Sequence, residues 1–231
     1  MKKMLNKNNL LFLVISLIIF ISNSVYSSEF QKKSKIIFKE NLFHDVPTFN
    51  EDGSINSIIE ISSGENDKWQ VSKKYGYLEW EKKNNSYRTI KSLPYPTNYG
   101  IIPQTITPKD NGGDGDPVDI LILGEKFEKG SIVKVKIIGV IKMIDNGELD
   151  DKIIGVYSDS KIFNPDLVFN FSDLNQNYPG VLDIIKIWFE NYKGPGQVII
   201  KKFENKKIAL EIINNSKAPY EILKGYWKNN R

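Results

Sequence analysis

The 231-residue chain contains no cysteine and a single histidine, His44. Without cysteine it forms no disulfide, no thiolate metal site and no lipid anchor on an N-terminal cysteine, and it has no cysteine nucleophile. His44 lies in a polar segment without Cys or His partners, which favours a surface side chain over a metal ligand. Any metal site in this chain must therefore rely mainly on oxygen ligands. The lack of a free thiol is also compatible with an oxidising compartment.

Residues 1–27 have the composition of a secretory signal peptide. Lys2, Lys3 and Lys7 precede an apolar run of 12 residues, 10–21, and small polar residues follow it up to Ser27. That run is short for a membrane span, which needs about 20 residues. We expect cleavage after Ser27, export to the periplasm or the medium, and no stable membrane span afterwards. An uncleaved N-terminal anchor is the alternative.

The positive charge of the chain belongs largely to this leader. The formal net charge is +4, from 32 basic and 28 acidic residues. Removal of residues 1–27 takes away three lysines and no acid, which leaves 29 basic and 28 acidic residues. No clustered basic stripe remains, so we expect no nucleic-acid partner. The length of the remainder, residues 28–231, suits a single domain with a substantial core.

Six β-branched segments bounded by Gly, Asn and Asp predict strands. They are residues 55–62, 75–80, 118–123, 131–144, 152–158 and 196–203. In the fourth segment Val133, Val135 and Ile137 alternate with Lys134 and Lys136, which is typical of a half-buried strand with a solvated lysine face.

Helical periodicity comes late in the chain. After Pro179 and Gly180, apolar residues at spacings of three and four predict a helix, and residues 205–216 predict a second one. Pro219 is expected to break or kink the chain before a short tail helix. Strands followed by late helices favour a mainly β, α+β fold in which a closed or nearly closed small barrel has helices on its outside.

Four aspartates, Asp110, Asp114, Asp116 and Asp119, lie within ten positions directly before an apolar strand. Ionised carboxylates this close repel one another, and without Cys or His nearby they favour a hard cation such as Mg²⁺. An EF-hand calcium loop is excluded, because glycine and leucine occupy two of its ligand positions. A solvated acidic turn is the alternative, and Asp110 can simply cap such a turn.

The hexapeptide D-G-D-P-V-D, Asp114 to Asp119, resembles the signature of soluble family I inorganic pyrophosphatases. Further blocks resemble that family in the same order: IIEISSGENDKW (58–69), LPYPTNYGIIPQT (93–105), GVIKMIDNGELDDKIIGV (139–156), WFENYKGP (188–195) and NKKIALEIINNS (205–216). The resemblance covers residues 55–220 and implies an OB-like five-stranded β-barrel with additional strands and two or three flanking α-helices.

This resemblance implies Mg²⁺-dependent hydrolysis of inorganic pyrophosphate to two orthophosphates by in-line attack of a metal-activated water. Several Mg²⁺ ions would bind, with Mn²⁺ or Zn²⁺ as possible substitutes. The metal ligands it implies are Glu60, Asp114, Asp119, Asp145 and Asp150. The substrate-binding residues it implies are Lys68, Arg88, Lys152, Tyr192 and Lys193. Asp116 matches the base that activates the water, and Tyr95 and Tyr99 match the two site tyrosines, of which Tyr99 is assigned a catalytic role.

Three positions depart from the family pattern or leave it open. Gln70 replaces a site carboxylate, since the family has Lys-x-Glu where this chain has Lys-Trp-Gln. Arg88 matches the substrate arginine only with a one-residue gap. Asp151 adjoins Asp150, and a slip of one residue would exchange the two. Two other functions remain open: a noncatalytic phosphate- or metal-binding barrel, and a phosphohydrolase acting on nucleotides or polyphosphate. A homo-oligomer is also possible, although the sequence shows no interface.

Overall fold

The computed structural model describes residues 34–109 and 112–229, the last two by their backbone alone. The predicted signal peptide and Asp110 lie outside the described residues. The chain divides into two units, 1–36 and 37–231. Of the first unit, residues 34–36 are described, and they include the two-residue strand β1 (Lys35–Ile36).

The described part of the second unit contains eleven strands and four α-helices. The strands are β2 (Ile55–Ile61), β3 (Trp69–Val71), β4 (Leu78–Trp80), β5 (Lys82–Lys83), β6 (Ser86–Tyr87), β7 (Asn98–Ile101), β8 (Asp119–Leu123), β9 (Ile132–Asp145), β10 (Glu148–Leu149), β11 (Lys152–Tyr157) and β12 (Val198–Asn205). The helices are α1 (Phe171–Asn177), α2 (Val181–Asn191), α3 (Lys206–Asn215) and α4 (Lys217–Asn229).

Five of these strands close into a barrel. The order of hydrogen-bonded neighbours is β9, β11, β8, β7 and β2, and β2 pairs again with β9. The β8–β11 pair is parallel, whereas the other barrel pairs are antiparallel. The strands β10 and β12 extend the sheet by pairing with β9. The predicted mainly β fold, a five-stranded barrel with extra strands and outer helices, is confirmed.

Strand β8 shows why the apolar run after the acidic loop is continuous. Ile120 and Ile122 belong to one buried hydrophobic cluster, whereas Leu121 and Leu123 belong to another on the opposite face of the strand. Alternate residues of a strand point to opposite faces, so a strand buried on both sides is apolar throughout. Asp119 is the first residue of this strand and shares the face of Leu121.

The helices pack on these two clusters as the periodicity predicts. Helix α2 buries Ile185 and Phe189 in the cluster that contains Leu121, and α3 buries Ala209 and Ile213 in the cluster of Ile120. Asn205 caps α3, because its side-chain oxygen accepts a hydrogen bond from the amide of Ile208.

Several local predictions were wrong. Residues 73–75 form a turn, residues 76 and 77 have no regular structure, and strand β4 begins only at Leu78. The break between the last two helices is at Ser216. Pro219 lies in the first turn of α4, where backbone amides have no partner within the helix, so a proline there removes no helical hydrogen bond. That tail helix has 13 residues and is not short. Helix α1 was missed, although Asn170 caps it by accepting from the amide of Asp173.

Candidate active site

All twelve predicted site residues border one cavity of about 560 Å³. They are Glu60, Lys68, Arg88, Tyr99, Asp114, Asp116, Asp119, Asp145, Asp150, Lys152, Tyr192 and Lys193. Gln70 and Tyr95 border the same cavity. The fold therefore brings side chains that are far apart in the sequence, from Glu60 to Lys193, to one cavity. The individual roles of these residues stay predictions.

The innermost charges of the cavity lie on the barrel wall. Asp119 begins β8, Lys152 begins β11, and the two residues are partners in the parallel register. The buried Lys152 Nζ donates to the carboxylates of Asp119 and Asp150. Burial alone would lower the pKa of Lys152, but the two carboxylates outweigh it and raise that pKa, so the ammonium stays charged. Lys152 in turn lowers the pKa of Asp150 despite the burial of that carboxyl.

Glu60 connects the barrel to strand β3. It lies on β2, is 4% exposed, and its Oε1 accepts a hydrogen bond of 2.6 Å from the amide of Val71. Burial raises the pKa of Glu60 to about 8, although the charge of Lys68 opposes this shift. A buried carboxyl with so little compensation favours a cation beside it.

The site tyrosines form part of an aromatic group on the α2 side of the cavity. The ring of Tyr95 lies 5.3 Å from that of Tyr99 and 4.6 Å from that of Trp188, and Trp188 stacks on Tyr192 at 4.7 Å. Lys68 Nζ lies 4.4 Å from the ring centre of Tyr99, within range of a cation–π contact. Burial raises the pKa of Tyr99 and of Tyr192, so both phenols keep their protons as hydrogen-bond donors.

Two further cations of the cavity are held by carboxylates. Lys193 Nζ donates to Asp145, the last residue of β9. Arg88 makes two hydrogen bonds to Glu81, of 2.9 and 3.0 Å, which fix the direction of its guanidinium group. Arg88 borders the cavity, although its match to the family's substrate arginine has a gap of one residue.

The acidic loop is ordered by hydrogen bonds from Thr107. Asp114 Oδ1 accepts from the Thr107 hydroxyl at 2.7 Å and from the Asp116 amide at 2.8 Å. The Asp116 side chain is exposed and pairs with Lys73, whose Nζ also donates to the Gly115 carbonyl at 3.1 Å. Asp114 is thus held by the loop itself, whereas Asp116 is open to solvent at the rim of the cavity.

The structure separates the two adjacent aspartates that the sequence left open. Asp150 borders the cavity and pairs with Lys152. Asp151 instead pairs with Lys142 and accepts a hydrogen bond of 3.3 Å from the amide of Met143. The geometry thus favours Asp150 as the site residue.

Sequence reasoning did not assign several residues that border the cavity, among them Lys73, Lys74, Glu79, Glu81 and Trp227. Glu79 is the register partner of Gln70 across strands β3 and β4, and the Gln70 amide donates to its Oε1 at 3.4 Å. A carboxylate therefore stands beside the position where the family pattern has one. Alternation on β4 could have indicated Glu79, but nothing local to the sequence indicates Trp227.

The donor set of the cavity fits Mg²⁺. Eight carboxyl side chains border it among the described residues, from Glu60 to Asp150, and no histidine does so, which matches the preference of Mg²⁺ for oxygen ligands. Within residues 34–109 and 112–229, no three acidic or histidine side chains stand close enough together to enclose an ion. Four of the aspartates, Asp116, Asp119, Asp145 and Asp150, are instead paired with lysines.

A family model described as inorganic pyrophosphatase matches residues 57–221 of this chain. The chain belongs to the inorganic pyrophosphatase family. It is 34% identical over 172 residues to an inorganic pyrophosphatase of Helicobacter pylori, a match that covers 73% of this chain and 92% of that protein. It is 31% identical over 208 residues to an inorganic pyrophosphatase of Mus musculus, which covers 80% of this chain and 68% of the mouse protein.

Solved pyrophosphatase structures share the fold. The inorganic pyrophosphatase of Schistosoma japonicum superposes with a TM-score of 0.75 at 28% identity, covering 82% of this chain and 76% of that one. The resemblance inferred from the motif blocks is thus confirmed by both sequence and fold. The matched residues include all twelve predicted site residues, whereas Trp227 lies beyond their end.

Proposed function

We propose that this chain hydrolyses inorganic pyrophosphate to two orthophosphates in a reaction that depends on Mg²⁺. The main support is the convergence of the twelve predicted residues on one cavity in a member of the inorganic pyrophosphatase family. Pyrophosphate is a compact polyanion, and a cavity with both carboxylates for cations and fixed lysines for phosphate oxygens matches such a substrate.

The carboxylates supply the ligands for the ions. Asp114, Asp119 and Asp150 would hold a first Mg²⁺, with Asp119 shared with a second ion. Asp145 and Asp150 would hold the ion that accompanies the substrate, and Glu60 would act at the inner edge. Bound Mg²⁺ neutralises phosphate charge and lowers the pKa of a coordinated water. Mn²⁺ or Zn²⁺ could take the same oxygen ligands with a different fit.

The cations and phenols of the cavity bind the phosphate oxygens. Lys152 and Lys193 donate hydrogen bonds to carboxylates of the cavity. Where those carboxylates serve as metal ligands, each ammonium would donate to phosphate instead, together with Lys68 and Arg88. Tyr99 and Tyr192 keep their protons and so donate hydrogen bonds to the same anion.

Asp116 is the proton acceptor in this proposal. The oxygen of a water attacks one phosphorus, the bond from that phosphorus to the bridging oxygen breaks, and orthophosphate leaves. The proton lost by the water passes to the Asp116 carboxylate. Its side chain is accessible at the rim, where it pairs with Lys73.

The test is phosphate release by the purified full chain from pyrophosphate, with and without Mg²⁺. We expect rapid release with Mg²⁺, restoration by Mg²⁺ after chelation, and much slower release from nucleoside triphosphates. Binding of pyrophosphate without turnover would instead favour the noncatalytic barrel. Faster release from nucleotides or polyphosphate would favour the other phosphohydrolase.

We also propose that the protein is exported with cleavage after Ser27 and that residues 28–231 form one domain. The support is the basic, apolar and small-residue order of residues 1–27. Among the described residues, no helix is long and apolar enough to cross a membrane. N-terminal sequencing of protein from the producing cell should begin at Ser28, and an intact Met1 would contradict cleavage.

A further inference from the structure

The acidic loop is tied at its base to the segment that follows β7. The Ile102 amide donates to the Val118 carbonyl at 2.8 Å, and the Val118 amide donates to the hydroxyl oxygen of Thr105 at 3.0 Å. Two residues further along, the Thr107 amide donates to the Asp116 carbonyl at 2.8 Å. The stretch between Thr107 and Asp116 therefore starts and ends at points that these hydrogen bonds fix.

The Thr107 hydroxyl is directed at one oxygen of a predicted metal ligand. It lies 2.7 Å from Asp114 Oδ1 and 3.0 Å from the Asp116 carbonyl oxygen. Because that carbonyl already accepts the Thr107 amide, and because the carboxylate oxygen is nearer, the hydroxyl donates to Asp114. The Asp116 amide donates to the same oxygen at 2.8 Å. Asp114 Oδ1 thus accepts two hydrogen bonds from within the loop.

The second oxygen of the same carboxylate is available to a cation. Asp114 borders the catalytic cavity, and no donor within residues 34–109 and 112–229 makes a hydrogen bond to its Oδ2. A carboxylate with one oxygen occupied by hydrogen bonds binds a cation through the other oxygen. Coordination through one oxygen suits the strict octahedral geometry of Mg²⁺, whereas Ca²⁺ also accepts both oxygens of a carboxylate.

A glycine allows the loop to approach Thr107 this closely. The residue before Asp114 is Gly113, and a Cβ at that position would lie 2.9 Å from the Thr107 Cβ and 2.9 Å from the Pro108 carbonyl oxygen. Atoms without a bond between them do not pack that closely, so any side chain at position 113 would move the loop away from Thr107. The local sequence is thus compatible with the contact between Thr107 and Asp114.

We propose that Thr107 is a positioning residue of the metal site, which holds Asp114 so that Oδ2 alone binds Mg²⁺. Thr107 does not itself border the cavity and acts through the carboxylate that it orients. Because the hydroxyl fixes this carboxylate before a cation binds, less side-chain freedom is lost on binding. This inference rests on the proposed function, in which Asp114 is a ligand of the first Mg²⁺, and adds to it the residue that orients this ligand.

The experiment measures Mn²⁺ binding to the full chain without substrate, from the electron paramagnetic resonance signal of free Mn²⁺. Thr107→Val keeps the shape of the side chain but removes the hydroxyl, so we expect the dissociation constant of the tightest-bound Mn²⁺ to rise about tenfold. Thr107→Ser keeps the hydroxyl and should bind Mn²⁺ nearly as tightly as the wild type. The matched control is Thr89→Val, which should not change the constant. The Thr89 hydroxyl also donates to an aspartate, Asp67, at 3.1 Å, but neither residue borders the cavity.

The outcomes separate this inference from the proposed function. Unchanged Mn²⁺ affinity in Thr107→Val, shown to be folded by circular dichroism, overturns the role of Thr107, and so does a Thr107→Ser variant that binds as weakly as Thr107→Val. If Thr107→Val does not fold, Thr107→Ala removes the hydroxyl without placing a methyl group against Asp114, and unchanged affinity there likewise overturns the inference. A wild type that binds Mn²⁺ but releases no phosphate from pyrophosphate with Mg²⁺ overturns the function itself, while the variants still decide the role of Thr107 in metal binding.

Discussion

The cavity holds two lysine–aspartate arrangements that differ chiefly in burial. On the barrel wall, Lys152 pairs with Asp119 and Asp150, and its side chain is 3% exposed. At the rim, Lys73 pairs with Asp116, whose side chain is 58% exposed. A buried charge that loses its partners is costly, whereas an exposed pair in water contributes little to stability. Loss of the wall group is therefore expected to affect both the fold and the proposed reaction, whereas loss of the rim pair is expected to affect the proposed reaction alone.

The rim pair gives the largest expected change in rate. Asp116→Asn keeps the shape of the side chain but removes the proposed proton acceptor, so we expect kcat to fall about 1,000-fold. Because the group is exposed, the free energy of unfolding should stay within about 0.5 kcal/mol of the wild type. Steady-state kinetics and urea unfolding measure the two quantities. Asp166→Asn, at an exposed pair with Lys136, is the matched control, and nearly full activity in Asp116→Asn would exclude its role as the base.

A substitution of Lys152 on the barrel wall should lower both the catalytic rate and the stability of the protein. Lys152→Met keeps much of the side-chain volume but leaves two buried carboxylates without a cation, so we expect the free energy of unfolding to fall by about 3 kcal/mol. The loss of a phosphate ligand should also lower kcat/KM about 100-fold. Denaturant unfolding without metal, together with kinetics at saturating Mg²⁺, measures both. Lys136→Met is the control on an exposed strand face, and equal stability of the two variants would refute the contrast between wall and rim.

The strands β3 and β4 offer a smaller test at the edge of the cavity. Glu79→Gln removes the carboxylate opposite Gln70, so we expect the Mg²⁺ concentration for half-maximal activity to rise about threefold. The swapped pair Gln70→Glu/Glu79→Gln keeps one carboxylate in the same register pair and should bring that concentration back towards the wild type. Titration of activity with Mg²⁺ measures the concentration for half-maximal activity in each variant. A swap that behaves like Glu79→Gln alone would show that the position of the carboxylate, and not its presence, matters.

The smallest expected effect is outside the charged regions. Tyr220→Phe removes the hydrogen bond to His44 and should lower the free energy of unfolding by about 1 kcal/mol. Pyrophosphate hydrolysis should not change, because Tyr220 does not border the catalytic cavity. Thermal unfolding and the phosphate assay measure the two properties. A large loss of activity would mean that the position of α4 affects catalysis.

Much of the fold could be predicted from local pattern. Val133, Val135 and Ile137 are buried as their alternation with lysine predicts, and Ile185 and Phe189 are buried as the helical spacing predicts. Predictions were poorest where a short element depends on its partners. Residues 69–71 become a strand because they pair with β4 and donate to Glu60, and no period is visible in three residues.

His44 shows the same limit for a single side chain. Its polar neighbours predict a surface residue, but it is half-buried against Phe43, Tyr220 and Trp227. The expectation of a surface residue was therefore wrong. Two of these contacts come from a helix almost two hundred residues later in the chain, so no window of sequence around His44 contains them.

The sequence by itself determined which chemistry is available. With carboxylates, lysines and tyrosines in ordered blocks and no cysteine, it specified oxygen ligands for a hard cation and fixed charges for an anion. Only the tertiary structure decided which side chains face the cavity. It separated Asp150 from Asp151, set Glu79 opposite Gln70 and brought Trp227 to the wall. The physical reason is that the direction of a side chain depends on strand register and on helix packing, and both are settled by contacts between residues far apart in the chain.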